Sequence, residues 1–136
     1  MSTPFSLRLR VYYEDTDAAG IVYHANFLKF MERARTEWLR TLGFEQDRIA
    51  REHGIGFVVR SATLDFRRPA RFNDALEATA ALVRLGRASI DLRQEVLDAA
   101  GTLLCGADIR VGSVNVRRMA PVVMPEDIYE GIRNAR

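Results

Sequence analysis

NFLKFMERARTEWLRTLG, residues 26–43, is the stretch on which the fold turns. Phe27, Phe30, Met31, Ala34, Trp38 and Leu42 recur at steps of three and four, the spacing that places side chains on one face of an α-helix. Glu32, Arg33, Arg35, Thr36, Glu37 and Arg40 cover the remaining faces. Asn26 offers an N-cap oxygen and Gly43 a C-terminal stop, which predicts a helix of about 16 residues. An apolar stripe holding three aromatic residues (Phe27, Phe30, Trp38) predicts that this helix lies at the centre of the core.

Upstream, Phe5–Glu14 alternates with period two. Phe5, Leu7, Leu9, Val11 and Tyr13 point one way, while Ser6, Arg8, Arg10 and Tyr12 point the other, which predicts a half-buried strand. Asp15–His24 reads as a loop, with Gly20 available for a backbone conformation that other residues resist. Downstream, Glu45–His53 carries a weaker helical pattern before Gly54 and Gly56. The rest is strand after strand: Phe57–Pro69, Ala75–Leu85, Ser89–Leu97 and a run from Leu103 through Val111, with turns at Asn73-Asp74, Gly86 and Ala100-Gly101. Pro121 and Pro125 end regular pairing, and Pro125–Asn134 predicts a short terminal helix. Consecutive strands with links this short must pair antiparallel. Long strands beside one buried helix predict an α+β fold, a curved antiparallel sheet wrapped round the helix, as one domain over residues 1–136. One helix covers one face of that sheet, so the other face or an edge is expected to meet another subunit.

The chain has 48% hydrophobic and 28% charged residues, ordinary values for a soluble globular protein. Arginines and acids interrupt every apolar run before it reaches the roughly 18 residues a membrane span needs. The amino-terminal segment, Met1 to Arg8, has no apolar signal core, so secretion is not expected. A single cysteine, Cys105, excludes an internal disulfide and fits a reducing cytoplasm. Twenty basic residues stand against 18 acids, and Lys29 is the only lysine. The basic clusters are small (Arg67, Arg68 and Arg71; Arg117 and Arg118), without the broad stripe and interleaved aromatics of a nucleic-acid surface. They suit a small ligand carrying a few phosphates.

Between the first strand and the helix lies the richest chemistry: three acids within Glu14–Asp17, Gly20, and His24 two residues before the helix start. A carboxyl group at Asp17 would be placed to act as general base on water or to attack an acyl carbon. The helix start would offer a backbone N–H to a carbonyl oxygen becoming an oxyanion. Turn formation or helix capping is the structural alternative for an acid here, and packing against aromatic neighbours the alternative for His24. His53 has no ligand partner at metal spacing, so no metal is expected. Neither a Gly-x-Ser-x-Gly elbow, a P-loop nor a dinucleotide fingerprint is present.

Tyr13-Glu14-Asp15-Thr16-Asp17-Ala18-Ala19-Gly20-Ile21-Val22-Tyr23-His24-Ala25-Asn26-Phe27 resembles the signature of the 4-hydroxybenzoyl-CoA thioesterase branch of hot-dog proteins. Glu32 to Glu37, Phe57 to Arg60, Pro69 to Arg71 and Asn73-Asp74 are similar to the Tol-Pal-associated acyl-CoA thioesterases, the YbgC type, and the likeness covers nearly the whole chain. Phe27 departs from the tyrosine of many relatives but belongs to the core stripe. The resemblance implies a hot-dog fold with a five-stranded sheet, and hydrolysis of acyl-CoA without metal or prosthetic group. It implies Asp17 as general base or nucleophile. It also implies that the His24 backbone N–H polarises the thioester carbonyl, with the His24 side chain catalytic as well. A site at a dimer interface, often within a tetramer, is implied too, with acyl carrier protein as an alternative carrier. Tyr23, Phe57, Val58 and Val59 are the expected acyl walls, and Arg87, after the Gly86 turn, the expected partner of the CoA nucleotide. Two other readings stay open: a hydroxyacyl-thioester dehydratase, and a non-catalytic module that binds acyl-CoA or acyl carrier protein.

Overall fold

A computed structural model of the chain describes residues 4–135, so Met1, Ser2 and Thr3 of the segment read for a signal core lie outside the described residues. In chain order the elements are β1 (Phe5–Arg10), α1 (Asn26–Thr41), α2 (Gln46–His53), β2 (Ile55–Phe66), β3 (Ala75–Leu85), β4 (Ser89–Asp98), β5 (Leu103–Asn115), β6 (Ala120–Pro121) and α3 (Glu126–Arg133). The sheet runs β1-β3-β4-β5-β2 with every neighbouring pair antiparallel, and the two-residue β6 adds to β5. This is the hot-dog arrangement implied by the resemblance. α1 packs on β1, β3 and β4 through the expected stripe: Phe27, Phe30, Met31, Ala34 and Trp38 are buried and Leu42 half-buried. Gly43 ends the helix at φ +90°, where a side chain would be strained.

The first strand is shorter than its alternation predicts. β1 stops at Arg10: the Val11 N–H still reaches the Asp74 carbonyl (3.0 Å), but the Val11 carbonyl accepts from Asn73 (3.0 Å) while the Asp74 N–H turns to Arg71, and the Asp15 side chain takes the Tyr12 N–H (2.8 Å). Tyr13–Asp15 close a 3-10 turn there, and Tyr13, expected among the inward residues, is 81% exposed. β2 begins two residues before Phe57 and ends at Phe66 rather than Pro69. The Arg67 and Arg68 amides both turn to the Leu104 carbonyl (2.8 and 3.1 Å), which closes the pairing. Asn26 is the first helical residue rather than the cap, and its side chain donates to Asp15 instead.

Gln94 interrupts the core face of β4 between Leu92 and Val96 and is fully buried. Its Nε2 donates to the Met31 carbonyl of α1 (2.9 Å) and the Thr79 carbonyl of β3 (3.1 Å), while its Oε1 accepts from Arg35 (3.0 Å). Helix and sheet are thereby joined by directional bonds as well as by apolar contact. The outer face of the sheet is charged, with Arg110 gripping Asp91 through two bonds (2.7 and 3.0 Å) and Arg93 between Glu95 and Asp108.

Candidate active site

Asp17 stands at the tip of a small hairpin between β1 and α1. Its N–H donates to the Ile21 carbonyl and its carbonyl accepts from Gly20, both at 2.9 Å, while Thr16 pairs with Val22. Oδ1 accepts the Ala19 N–H (2.9 Å), an Asx turn that holds the exposed carboxyl group in one orientation. Gly20 closes the turn at φ +79°, in the left-handed region that glycine enters without steric cost. The returning arm is tied to the body through an Ile21–Arg71 bridge and a Val22 N–H bond to the Ala70 carbonyl (2.8 Å).

Beneath the hairpin, Asp15 is the anchor. Only 4% exposed, it accepts the Tyr12 N–H on Oδ2 and the Asn26 Nδ2 on Oδ1 (3.0 Å), and its carbonyl accepts the Tyr23 N–H (2.9 Å). One residue thus fixes the end of β1, the exit of the hairpin and the start of α1. His24 follows on the approach to the helix, its ring 4.5 Å from Tyr23 and edge-on to Phe66 at 6.0 Å. Phe66 also meets Phe27, and these rings, with Arg68 and Pro69, border an open cleft of about 340 Å³. At the helix mouth the Tyr23, Asn26, Phe27 and Leu28 amides donate to the Asp15, Tyr23, His24 and Ala25 carbonyls. Among the described residues, no acceptor meets the His24 N–H or the Ala25 N–H.

The remaining expected site residues lie elsewhere in the chain. Phe57, Val58 and Val59 line a narrower cleft of about 100 Å³ beside the C-terminal half of α1, with Arg35, Thr36 and Trp38. Arg87, in the β3–β4 turn, pairs with Glu126 (3.0 Å) and lies 4.0 Å over the Tyr129 ring, fastening α3 to that turn. The Asp17 hairpin sits near the Ala75 end of β3 and Arg87 beyond its Leu85 end, so the 11-residue length of that strand separates them. Within one chain, therefore, Tyr23 and His24 lie together and Asp17 stands at the tip of the hairpin that leads into them, while the Phe57–Val59 wall and Arg87 lie apart. Sequence reasoning missed Asp15, Phe66, Arg35 and Gln94. Gln94 carried a signal: it is the one amide in the Ile90, Leu92, Gln94, Val96 stripe. Burial lowers the Arg35 pKa, against an opposing pull from Glu32, and pushes the Cys105 thiol up to about 11. No group of three or more His, Cys, Asp and Glu among the described residues is placed to hold a metal, and no described helix is long and apolar enough to cross a membrane.

A curled antiparallel sheet, a long buried helix and an acid-bearing hairpin at the helix start define a hot-dog protein of the thioesterase class. Residues 11–132 match the thioesterase-like superfamily, and the chain belongs to that family. It is 41% identical over 127 residues to the acyl-CoA thioester hydrolase YbgC of Escherichia coli O6:H1, covering 93% of this chain and 94% of that one. Identity to the acyl-CoA thioesterase YbgC of Haemophilus influenzae is 40% over 124 residues, covering 91% and 90%. The crystal structure of a probable thioesterase from Bartonella henselae superposes with a TM-score of 0.84 at 33% identity, covering 90% of this chain and all of that one.

Proposed function

We propose that this chain is an acyl-CoA thioesterase in which Asp17 is the general base or nucleophile and His24 supplies the oxyanion contact. The observation that carries this reading is the unshared N–H of His24, next to the equally unshared N–H of Ala25, at the mouth of α1, where the Tyr23, Asn26, Phe27 and Leu28 amides all have acceptors. A thioester carbonyl oxygen placed there would gain a preorganised donor and the positive end of the helix dipole as its charge grows. As base, Asp17 takes a proton from the water that attacks the carbonyl carbon. As nucleophile, its oxygen forms a mixed anhydride that a water then cleaves to free acid. In both, the C–S bond breaks and coenzyme A leaves as a relatively stable thiolate. The His24 ring, held between Tyr23 and Phe66, is a second polarising or proton-donating group. No cofactor enters the scheme, and residues 1–136 act as one domain.

The complete site is proposed to form between two copies. β2 is an edge of the sheet, and on its inner side Val59 and Phe66 are each 50% exposed. Two such edges paired antiparallel would continue the sheet and cover the inner strip of each copy with its partner, with Arg87 serving the nucleotide across that boundary. A homotetramer built as a dimer of dimers and a Tol-Pal link are carried by the resemblance, a cytoplasmic setting by the single cysteine, and acyl carrier protein stays open as the alternative carrier. Free-thiol release from a series of acyl-CoAs tests the activity. The parent should release thiol, and Asp17→Asn should keep the fold while losing roughly 100-fold or more in kcat. An Asp17→Asn protein that turns over as fast as its parent would remove Asp17 from the mechanism. No release from any acyl-CoA would favour the dehydratase or binding-module reading.

A further inference from the structure

The two clefts lie along the same side of β2. Phe57, Val59, Ala62, Leu64 and Phe66 stand opposite Ser113, Val111, Ile109, Ala107 and Cys105 of β5, so they share the inner face, with the bulge at Arg60 keeping the two halves in phase. α1 packs mainly on β1, β3 and β4, and along this strip Val59, Ala62 and Phe66 stay exposed while Phe57 and Leu64 are half-buried. The strip begins at Phe66, beside His24, and ends at the Phe57–Val59 wall, where Arg35 faces it across the second cleft. Arg35 lies nine residues along α1 from Asn26, about 13.5 Å at the helical rise.

That far end is polar in an otherwise apolar trough. Arg35 is half-buried, is fixed from behind by fully buried Gln94, and has no carboxylate within ion-pair distance among the described residues. Thr36 and Gln46 bond to each other beside it, and Glu32, whose Oε1 accepts from Thr36, completes the rim. We propose that Arg35 sets the upper limit of acyl length by closing the trough with a charge that an apolar chain end would have to strip of water. The inference rests on the thioesterase reading and extends it to the substrate class: saturated acyl groups short enough to stop before the guanidinium. Each methylene laid on the strip should raise kcat/KM by about fourfold, and those past the Phe57–Val59 wall should gain nothing.

The test is a saturated series from acetyl- to palmitoyl-CoA, read as kcat/KM, together with Kd for the matching non-hydrolysable thioethers. In the parent both profiles should rise and then fall. In Arg35→Met, of similar length but apolar, the fall should move at least two methylenes outward, so that the first chain the parent rejects gains about 16-fold. Arg35→Gln keeps a donor for Gln94 without the charge, shifts the limit the same way, and serves where the methionine variant folds poorly. Unchanged profiles in both variants, with thermal midpoints near the parent's, would overturn the assignment. A parent that binds the thioethers but turns over no acyl-CoA would overturn the thioesterase reading, and the shift in Kd then decides the role of Arg35 by itself.

Discussion

The clamp between Asp15 and Asn26 is the most exacting structural claim, and a double-mutant cycle can measure it. Asp15 is 4% and Asn26 7% exposed, and the bond between them is 3.0 Å long. Asp15→Ala strands the Asn26 amide donor and also releases the Tyr12 N–H. A buried donor left without a partner costs about 1–3 kcal/mol. Tyr12 itself is 62% exposed, so its amide regains part of its bond from water. The expected loss for Asp15→Ala is about 2–4 kcal/mol. Asn26→Ala leaves one Asp15 oxygen unmatched and should cost about 1–3 kcal/mol. Because each single variant already breaks the shared bond, the double variant should lose about 1–2 kcal/mol less than the sum. Urea unfolding with a common m-value reads all four corners. The catalytic readout should move with it. Asp15 lies two residues before Asp17 and Asn26 two after His24, so a slackened clamp displaces both reacting groups, and an ångström of misplacement costs about 100-fold in rate. kcat should therefore fall much further than KM changes. Losses that add within about 0.3–0.5 kcal/mol would mean the two side chains do not act as a pair, and the argument would fail.

Two other predictions reach different parts of the molecule. Gly20→Ala forces a side chain into a turn at φ +79° where nothing crowds a Cβ, so the cost is conformational and about 1 kcal/mol; thiol release should fall while the melting point moves only a few degrees. Wild-type activity in that variant would show that the hairpin's shape is not needed. Burial raises the Cys105 thiol from 9.0 to about 11, with Asp65 adding to the shift and Arg93 opposing it. A folded-state pKa above the unfolded value gives stability that is whole below pH 9.0 and lost as pH climbs through about 11. Native protein at pH 8 should leave a thiol reagent unreacted until urea is added, and Cys105→Ala should flatten the alkaline decline. Full labelling of the native protein would contradict the burial.

What could be read from the sequence was what repeats. The stripe from Phe27 to Trp38 and the alternations of β3, β4 and β5 report burial on one face, and burial is what holds those elements in place. β1 illustrates the limit. Its pattern runs on through Tyr13, yet the ladder ends at Arg10, because the Asn73–Asp74 turn breaks the register at Val11 and the Asp15 side chain holds the Tyr12 amide in the turn that follows. No periodicity encodes such a local bond. Asn26 was legible as a residue of the helix start but not as the donor to Asp15, since cap and clamp use the same side chain. Arg87 was legible as an exposed cation after a turn, but its partners Glu126 and Tyr129 arrive from α3, some forty residues later.

The scatter of the expected site residues over one chain is itself an argument about assembly. His24 lies at the N-terminal end of α1 with the Asp17 hairpin leading into it, the Phe57–Val59 wall lies at the helix's far half, and the strip of β2 between them is apolar and partly exposed. A 12-residue edge strand with exposed valine and phenylalanine on its inner side invites pairing with any other strand. The charged outer face, already satisfied by its own ion pairs at Asp91–Arg110 and Arg93–Asp108, offers no comparable apolar surface. The proposed two-fold contact resolves both problems at once, because pairing β2 with its own copy removes the exposed edge and covers each strip by symmetry. An acyl chain lying on that strip would then be enclosed by two subunits. Its length limit and its catalytic acid would come from opposite ends of one helix.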